Sequence, residues 1–144
     1  MKANEFISKL DETRIVNAIA AAEARSSGEI RVFVAHGAVN DALAAARNQF
    51  GRLGMTATRE RNGVLIYIAP RSQQFAVWGD IGIHQKCGES FWREIVEVAM
   101  NHLRAGRFTD AVVEAVQRTG EVLARHFPRQ PSDRNELPDS VVSG

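Results

Sequence analysis

The sequence predicts an α/β fold: a three-layer α-β-α sandwich, its small mixed sheet built on a β-α-β-β core and flanked by helices on both faces. Three observations predict it. Asn62-Gly63-Val64-Leu65-Ile66-Tyr67-Ile68-Ala69-Pro70 reads as a turn feeding an apolar run that proline closes, and such a run fits a strand buried on both faces. A strand covered on both sides needs helices above and below its sheet. Finally, strand, helix and strand follow in order, which gives a parallel pair, whereas the four residues 70–73 are too few for anything but an antiparallel return.

The elements follow in order. Ser8-Lys9-Leu10-Asp11 offers a capping-box-like start, and Ile15, Val16, Ile19 and Ala22 recur at helical spacing to about residue 25. Ser26-Ser27-Gly28 is expected to stop this helix through a left-handed glycine. Residues 30–35 read as a strand with Ile30, Val32 and Val34 on one face and Phe33 on the other. Asn40 or Asp41 caps a second helix carried by Leu43, Ala46, Phe50 and Leu53 and ended by Gly54. After the buried strand at 63–69, residues 74–78 form the third strand, and 79–88 are irregular or a single helical turn. Residues 89–104 carry two apolar rows, Phe91, Ile95 and Val98 beside Trp92, Val96, Ala99 and Leu103. A last helix starts at Thr109 or Asp110, buries Val112, Val116, Leu123 and Phe127, and ends at Pro128. The domain is expected over 1–128, with 129–144 a polar C-terminal tail.

Length and composition narrow the function classes. A chain of 144 residues suits one domain that buries roughly two-thirds of its unfolded surface. Eighteen basic against 17 acidic residues leave a net charge of +1, so no global field favours nucleic acid or anionic lipid, and no nucleic-acid-binding motif is present. Cys87 is the only cysteine, which excludes an intrachain disulfide and a cysteine-based metal cluster. Met1-Lys2-Ala3-Asn4-Glu5 holds no apolar run of a signal peptide, and no window approaches the ~18 apolar residues of a membrane span. The expectation is a cytoplasmic protein without membrane insertion.

Strand direction decides where polar groups meet. The N-terminal ends of the two parallel strands share a rim with the C-terminal end of the third. That rim collects Gly28-Glu29, Arg59-Glu60-Arg61-Asn62 and Gly79-Asp80-Ile81-Gly82-Ile83-His84, with Glu89 and Arg93 nearby. Glu29, Asp80 and Glu89 are hard oxygen donors suited to calcium or magnesium, although no EF-hand spacing is present and Glu89 also suits a helix first turn. Arg61, Asn62, His84 and Arg93 are the ligand-binding candidates of the same rim. Cys87 before Gly88 has the place of a nucleophile at a helix start, against the commoner role of a small buried hydrophobe. No G-x-S-x-G elbow or phosphate-binding G-x-x-x-x-G-K-[ST] loop exists, and no catalytic residue is assigned.

The stretch 62–70, with its short turn and a third strand ending in Gly79, resembles the TPM domain (the YgcG-like family). Ser27-Gly28-Glu29-Ile30-Arg31-Val32, Phe50-Gly51-Arg52-Leu53-Gly54, Gly82-Ile83-His84-Gln85-Lys86-Cys87-Gly88, Phe91-Trp92, Gly106-Arg107-Phe108 and Asn135-Glu136-Leu137-Pro138 are similar to elements of its short soluble branch. The likeness covers most of residues 8–139. It implies a mixed sheet between helices, divalent-cation binding (often calcium), and an envelope- or membrane-associated protein partner. It also implies, as the alternative to a non-catalytic binding module, a metal-assisted phosphatase acting on phosphate monoesters. His84 stands where the family's loop commonly carries glutamate.

Overall fold

Two parallel strands and one antiparallel return form where the chain runs apolar and β-branched. The structure, a computed structural model, describes residues 1–130 and 141–144. The strands are β1 (Glu29–Val34), β2 (Gly63–Ala69), β3 (Gln74–Gly79) and β4 (Val141–Ser143), in the sheet order β3-β2-β1-β4. β1 and β2 run parallel, from Glu29 beside Gly63 to Val34 beside Ile68. β3 returns antiparallel to β2, from Ala69 beside Gln74 to Val64 beside Gly79. The helices are α1 (Ala3–Ser8), α2 (Glu12–Glu23), α3 (Ala42–Arg52), α4 (Ile81–Cys87), α5 (Glu89–Arg104) and α6 (Phe108–His126).

β2 is the hydrophobic centre, and all seven of its residues are buried. Its side chains alternate between two cores. Val64, Ile66 and Ile68 join Ile30, Val32, Val34, Phe75 and Val77 against Ile15, Ile19, Trp92, Ile95, Val112, Val116 and Leu123 of α2, α5 and α6. Leu65, Tyr67 and Ala69 join Phe33 and Ala76 against Ala42, Ala46 and Phe50 of α3, with Met55 at the end. Each buried aliphatic or aromatic side chain contributes roughly 1.5–3 kcal/mol. The three-layer sandwich is therefore as the apolar run requires, with α3 alone covering one face and the longer helices the other.

Five local expectations are corrected. The first helix is two: Ser8 Oγ donates back to Glu5 O inside α1, and Asp11, not Ser8, caps α2 by accepting from Arg14 N. Gly28 is not left-handed, since the positive-φ glycines are Gly54, Gly88 and Gly106. What requires glycine there is space, because a Cβ would lie 2.6 Å from Leu123 Cδ2. The buried stripe of α3 starts at Ala42, leaving Leu43 43% exposed. Residues 81–87 form a full α-helix, which Asp80 caps through Ile81 N at 2.8 Å. Gly88 then breaks α4 from α5 at φ 79°, ψ 169°, a conformation essentially confined to glycine.

The last correction concerns the polar tail. Within it, Val141–Ser143 forms β4 alongside β1, closed by His36 N to Gly144 O at 2.7 Å. The Asn135-Glu136-Leu137-Pro138 motif lies outside the described residues.

Candidate functional site

At the rim, the turn before β2 and the helix after β3 hold one another. Arg61 adopts φ 52°, a left-handed conformation that costs a non-glycine residue on the order of 1 kcal/mol. Its guanidinium grips the nearly buried carboxylate of Asp80 twice, Nε to Oδ2 at 2.6 Å and Nη2 to Oδ1 at 2.9 Å. A fork on a carboxylate is the strong geometry for such a pair, and it raises the Arg61 pKa further. Gly82 N donates to Arg61 O at 2.8 Å, and a Cβ at Gly82 would run into the carbonyl oxygens of Glu60 and Arg61. Asn62 is buried; its Nδ2 donates to Ser27 Oγ at 3.0 Å, and Ser27 Oγ donates to Glu60 Oε1 at 3.1 Å.

The predicted site residues therefore divide. Asp80 and Arg61 meet at the rim and satisfy one another, whereas Asn62 is buried beside them and bonds to Ser27 and Thr58 instead. Glu29 is 1% exposed at the start of β1, beside Gly63. Glu89 and Arg93 lie at the start of α5 as an exposed pair at 3.2 Å, a geometry that contributes little to stability. His84, on exposed α4, accepts from Trp92 Nε1 through Nδ1 at 3.1 Å. Sequence reasoning passed over Glu23, which is buried and accepts from Ile30 N at 2.8 Å.

A calcium or magnesium site was the expectation for Glu29, Asp80 and Glu89. Calcium takes 6–8 oxygens, yet Asp80 commits Oδ2 to Arg61 and Oδ1 to Arg61 and Ile81 N. Among the described residues no group of three or more His, Cys, Asp or Glu side chains converges to hold a metal ion. The donor set here does not fit a cation cage. Nor is Cys87 an activated thiol: burial pushes its pKa up to about 11, whereas a nucleophile needs it lowered.

Open space lies instead along β3. A cavity of about 660 Å³ runs beside the strand, between Leu43 of α3 and Trp92, Val96 and Met100 of α5, with Asp41, Glu89, Arg93 and Glu97 among its charged residues. A second cavity of about 420 Å³ lies round the end of β3, lined by Arg47, Arg61, Asp80 and Ile81. Trp78, Gly79 and His84 line both, and the Arg47 guanidinium sits 5.8 Å from the Trp78 ring centroid. A third, of about 450 Å³, continues the first past Gln73, Gln74 and Met100 toward Met1 and Phe108.

The large hydrophobic side chains that the described residues expose are Met1, Leu43 and Ile81. Each lines one of these three cavities. His84, Glu89 and Arg93 thus belong to this groove, whereas Glu29 and Asn62 do not. The groove was missed because Leu43 and Val96 are far apart in sequence and were each read as part of a helix's buried face. One signal was present: Gln74-Phe75-Ala76-Val77-Trp78-Gly79 contains no charge or proline, the usual protection of an edge strand.

No helix among the described residues is long and apolar enough to cross a membrane. No curated protein matches the chain. Among solved structures, it is similar to the BA42 protein from the psychrophilic bacterium Bizionia argentinensis, at 34% identity and a TM-score of 0.84, with 92% of each chain covered. It also shares the fold of the N-terminal domain of a P. gingivalis protein, at 16% identity and a TM-score of 0.60, over 79% of this chain and 76% of that one. The model of the TPM domain matches residues 1–122. With that match over most of its length, the chain belongs to the TPM domain family.

Proposed function

We propose that this chain is a non-catalytic binding module that receives a protein partner in the groove along β3. The observation that carries the reading is the contrast between rim and groove. At the rim, Asp80 and Arg61 neutralise one another, and Ser27 links Glu60 to Asn62. Beside β3, apolar side chains face a cavity of about 660 Å³, with Leu43 43% exposed at its edge. Exposed apolar surface rimmed by polar residues marks interaction sites. The Cys87 thiol, pushed up to about 11 by burial, favours binding over nucleophilic turnover. The reading assigns no step to calcium or magnesium, because Asp80 already serves Arg61 and the first amide of α4.

Photo-cross-linking in cells tests it. p-Benzoylphenylalanine at position 96, within the groove, is expected to give a discrete protein adduct. The same probe at position 118, on the exposed surface of α6, is expected to give none. Hydrolysis of p-nitrophenyl phosphate with added calcium or magnesium, lost in Asp80→Asn, would replace this reading with the phosphatase one.

A further inference from the structure

The third cavity, of about 450 Å³, lies where the end of β2 and the start of β3 meet α1, α5 and the start of α6. Its walls are mainly hydrocarbon. Phe6, Ile68 and Ala69 are buried, while Met100, Leu103 and Phe108 are half-buried beside them. The Phe6 and Phe108 ring centroids lie 5.2 Å apart, so α1 and α6 close one end together.

The polar groups of these walls are mostly engaged. Pro70 has no N–H to offer; its carbonyl accepts from Gln73 N at 3.2 Å, and Ile68 O accepts from Ala35 N at 2.8 Å. Gln74 holds the start of α3, accepting from Ala42 N at 2.9 Å and donating to Asn40 O at 3.3 Å. One charged side chain stands apart. Arg104 lines the cavity from the end of α5, and among the described residues no aspartate or glutamate lines it as well. Its guanidinium donates to a neutral group, Asn101 Oδ1, at 3.3 Å. Arg61 and Arg93, by contrast, meet Asp80 and Glu89, and Glu97 lines the first cavity but not this one. A second cation is close, with Lys9 Nζ 6.0 Å from the Phe108 ring centroid.

We infer that the third cavity binds a fatty acid, its carboxylate on Arg104 and its hydrocarbon chain against Phe6, Leu103 and Phe108. The inference goes beyond the protein-partner reading, which concerns the first cavity; the two share only Gln73, Gln74 and Met100. Small-molecule sites run to ~300–1,000 Å³ and combine apolar walls with a few polar groups that fix orientation. A hydrocarbon chain brings no group that needs a partner. A peptide laid on the same walls would bury amides with little to receive them, which is costly. The head must then answer Arg104, and a carboxylate matches a guanidinium fork. Met100, unbranched and adaptable, suits the inner end of a flexible chain.

The test titrates decanoate into the full chain, below its micelle concentration, and reads the shifts by NMR. Saturating shifts are expected at Phe6, Met100, Leu103 and Phe108. Each methylene removed is expected to weaken binding about three- to fourfold, so hexanoate binds roughly a hundredfold more weakly. Arg104→Gln, at an exposed position, is expected to weaken decanoate about tenfold. The same variant is expected to leave decanol unchanged, which separates loss of the charge from loss of packing.

No saturating shift, shifts confined to residues outside the cavity, or wild-type affinity for decanol equal to that for decanoate would overturn the inference. Equal affinity for hexanoate and decanoate would leave a bare carboxylate contact and overturn the chain site. Binding to phosphatidylglycerol vesicles without any decanoate shift would assign the patch to a membrane surface and overturn it too. A position-96 cross-link without decanoate binding would end this inference and leave the binding-module reading intact. Decanoate binding without that cross-link would support the fatty-acid site and end the protein-partner reading alone.

Discussion

Gly82 and Arg61 show how closely the rim is built. Adding one methyl in Gly82→Ala would press against the carbonyl oxygens of Glu60 and Arg61, backbone atoms that cannot swing aside. Overpacking of this kind costs about 1–3 kcal/mol, and urea denaturation of the variant is expected to show a loss in that range or above. Cys87 gives a second residue-scale outcome. With its pKa pushed up to about 11, the thiol is almost wholly protonated at pH 8. Ellman's reagent is expected to react far more slowly than with a free cysteine, and faster as pH rises toward 11; rapid reaction at pH 8 would contradict the burial. Arg61 and Asp80 were placed together by strand direction alone. Their mutual neutralisation was not legible, because sequence spacing does not reveal which donor reaches which oxygen.

Helices α5 and α6 are tied by a polar link as well as by apolar contact. His102 Nε2 and Glu114 Oε1 lie 2.8 Å apart, Arg107 Nε donates to His102 Nδ1, and Arg118 Nε donates to Glu114 Oε2. The His102 hydrogen bond, then Arg118, holds the Glu114 carboxyl below its ordinary value near 4.5. A carboxylate depressed in the folded state stabilises it at pH above the unfolded value, and that stability is lost as pH falls through the folded one. Stability at pH 7 is thus expected to exceed that at pH 3, with the fall reduced in Glu114→Gln, as urea midpoints at the two pH values would report. β4 makes a separate prediction: removing residues 141–144 takes away the acceptor of His36 N, so that amide is expected to lose exchange protection. β2 was readable because its six apolar residues are too few for a helix and are bounded by Asn62-Gly63 and Pro70. β4 was not, because Val141 and Val142 are too short a run to show any period, and only the exposed flank of β1 gives them a place. Likewise α4 was underread, since its cap by Asp80 depends on the tertiary hold of Arg61.

At the scale of the molecule, fold and site differ in what makes them visible. The three-layer sandwich follows from local facts: a doubly buried β2, a four-residue return into β3, and helical stripes on either side. The groove follows from a relation between distant elements. α3 and α5 stand on opposite faces of the sheet, and among the described residues the end strand between them pairs with β2 alone. The predicted rim contributes His84, Glu89 and Arg93 to that groove, while Glu29 and Asn62 are buried outside it. The account rests on the groove beside β3 being a surface that receives a protein. Photo-cross-linking in cells from p-benzoylphenylalanine at position 96 measures this directly. The account predicts a discrete protein adduct from position 96 and none from position 118 on α6. No adduct from position 96, or the same adduct from both positions, would contradict the account.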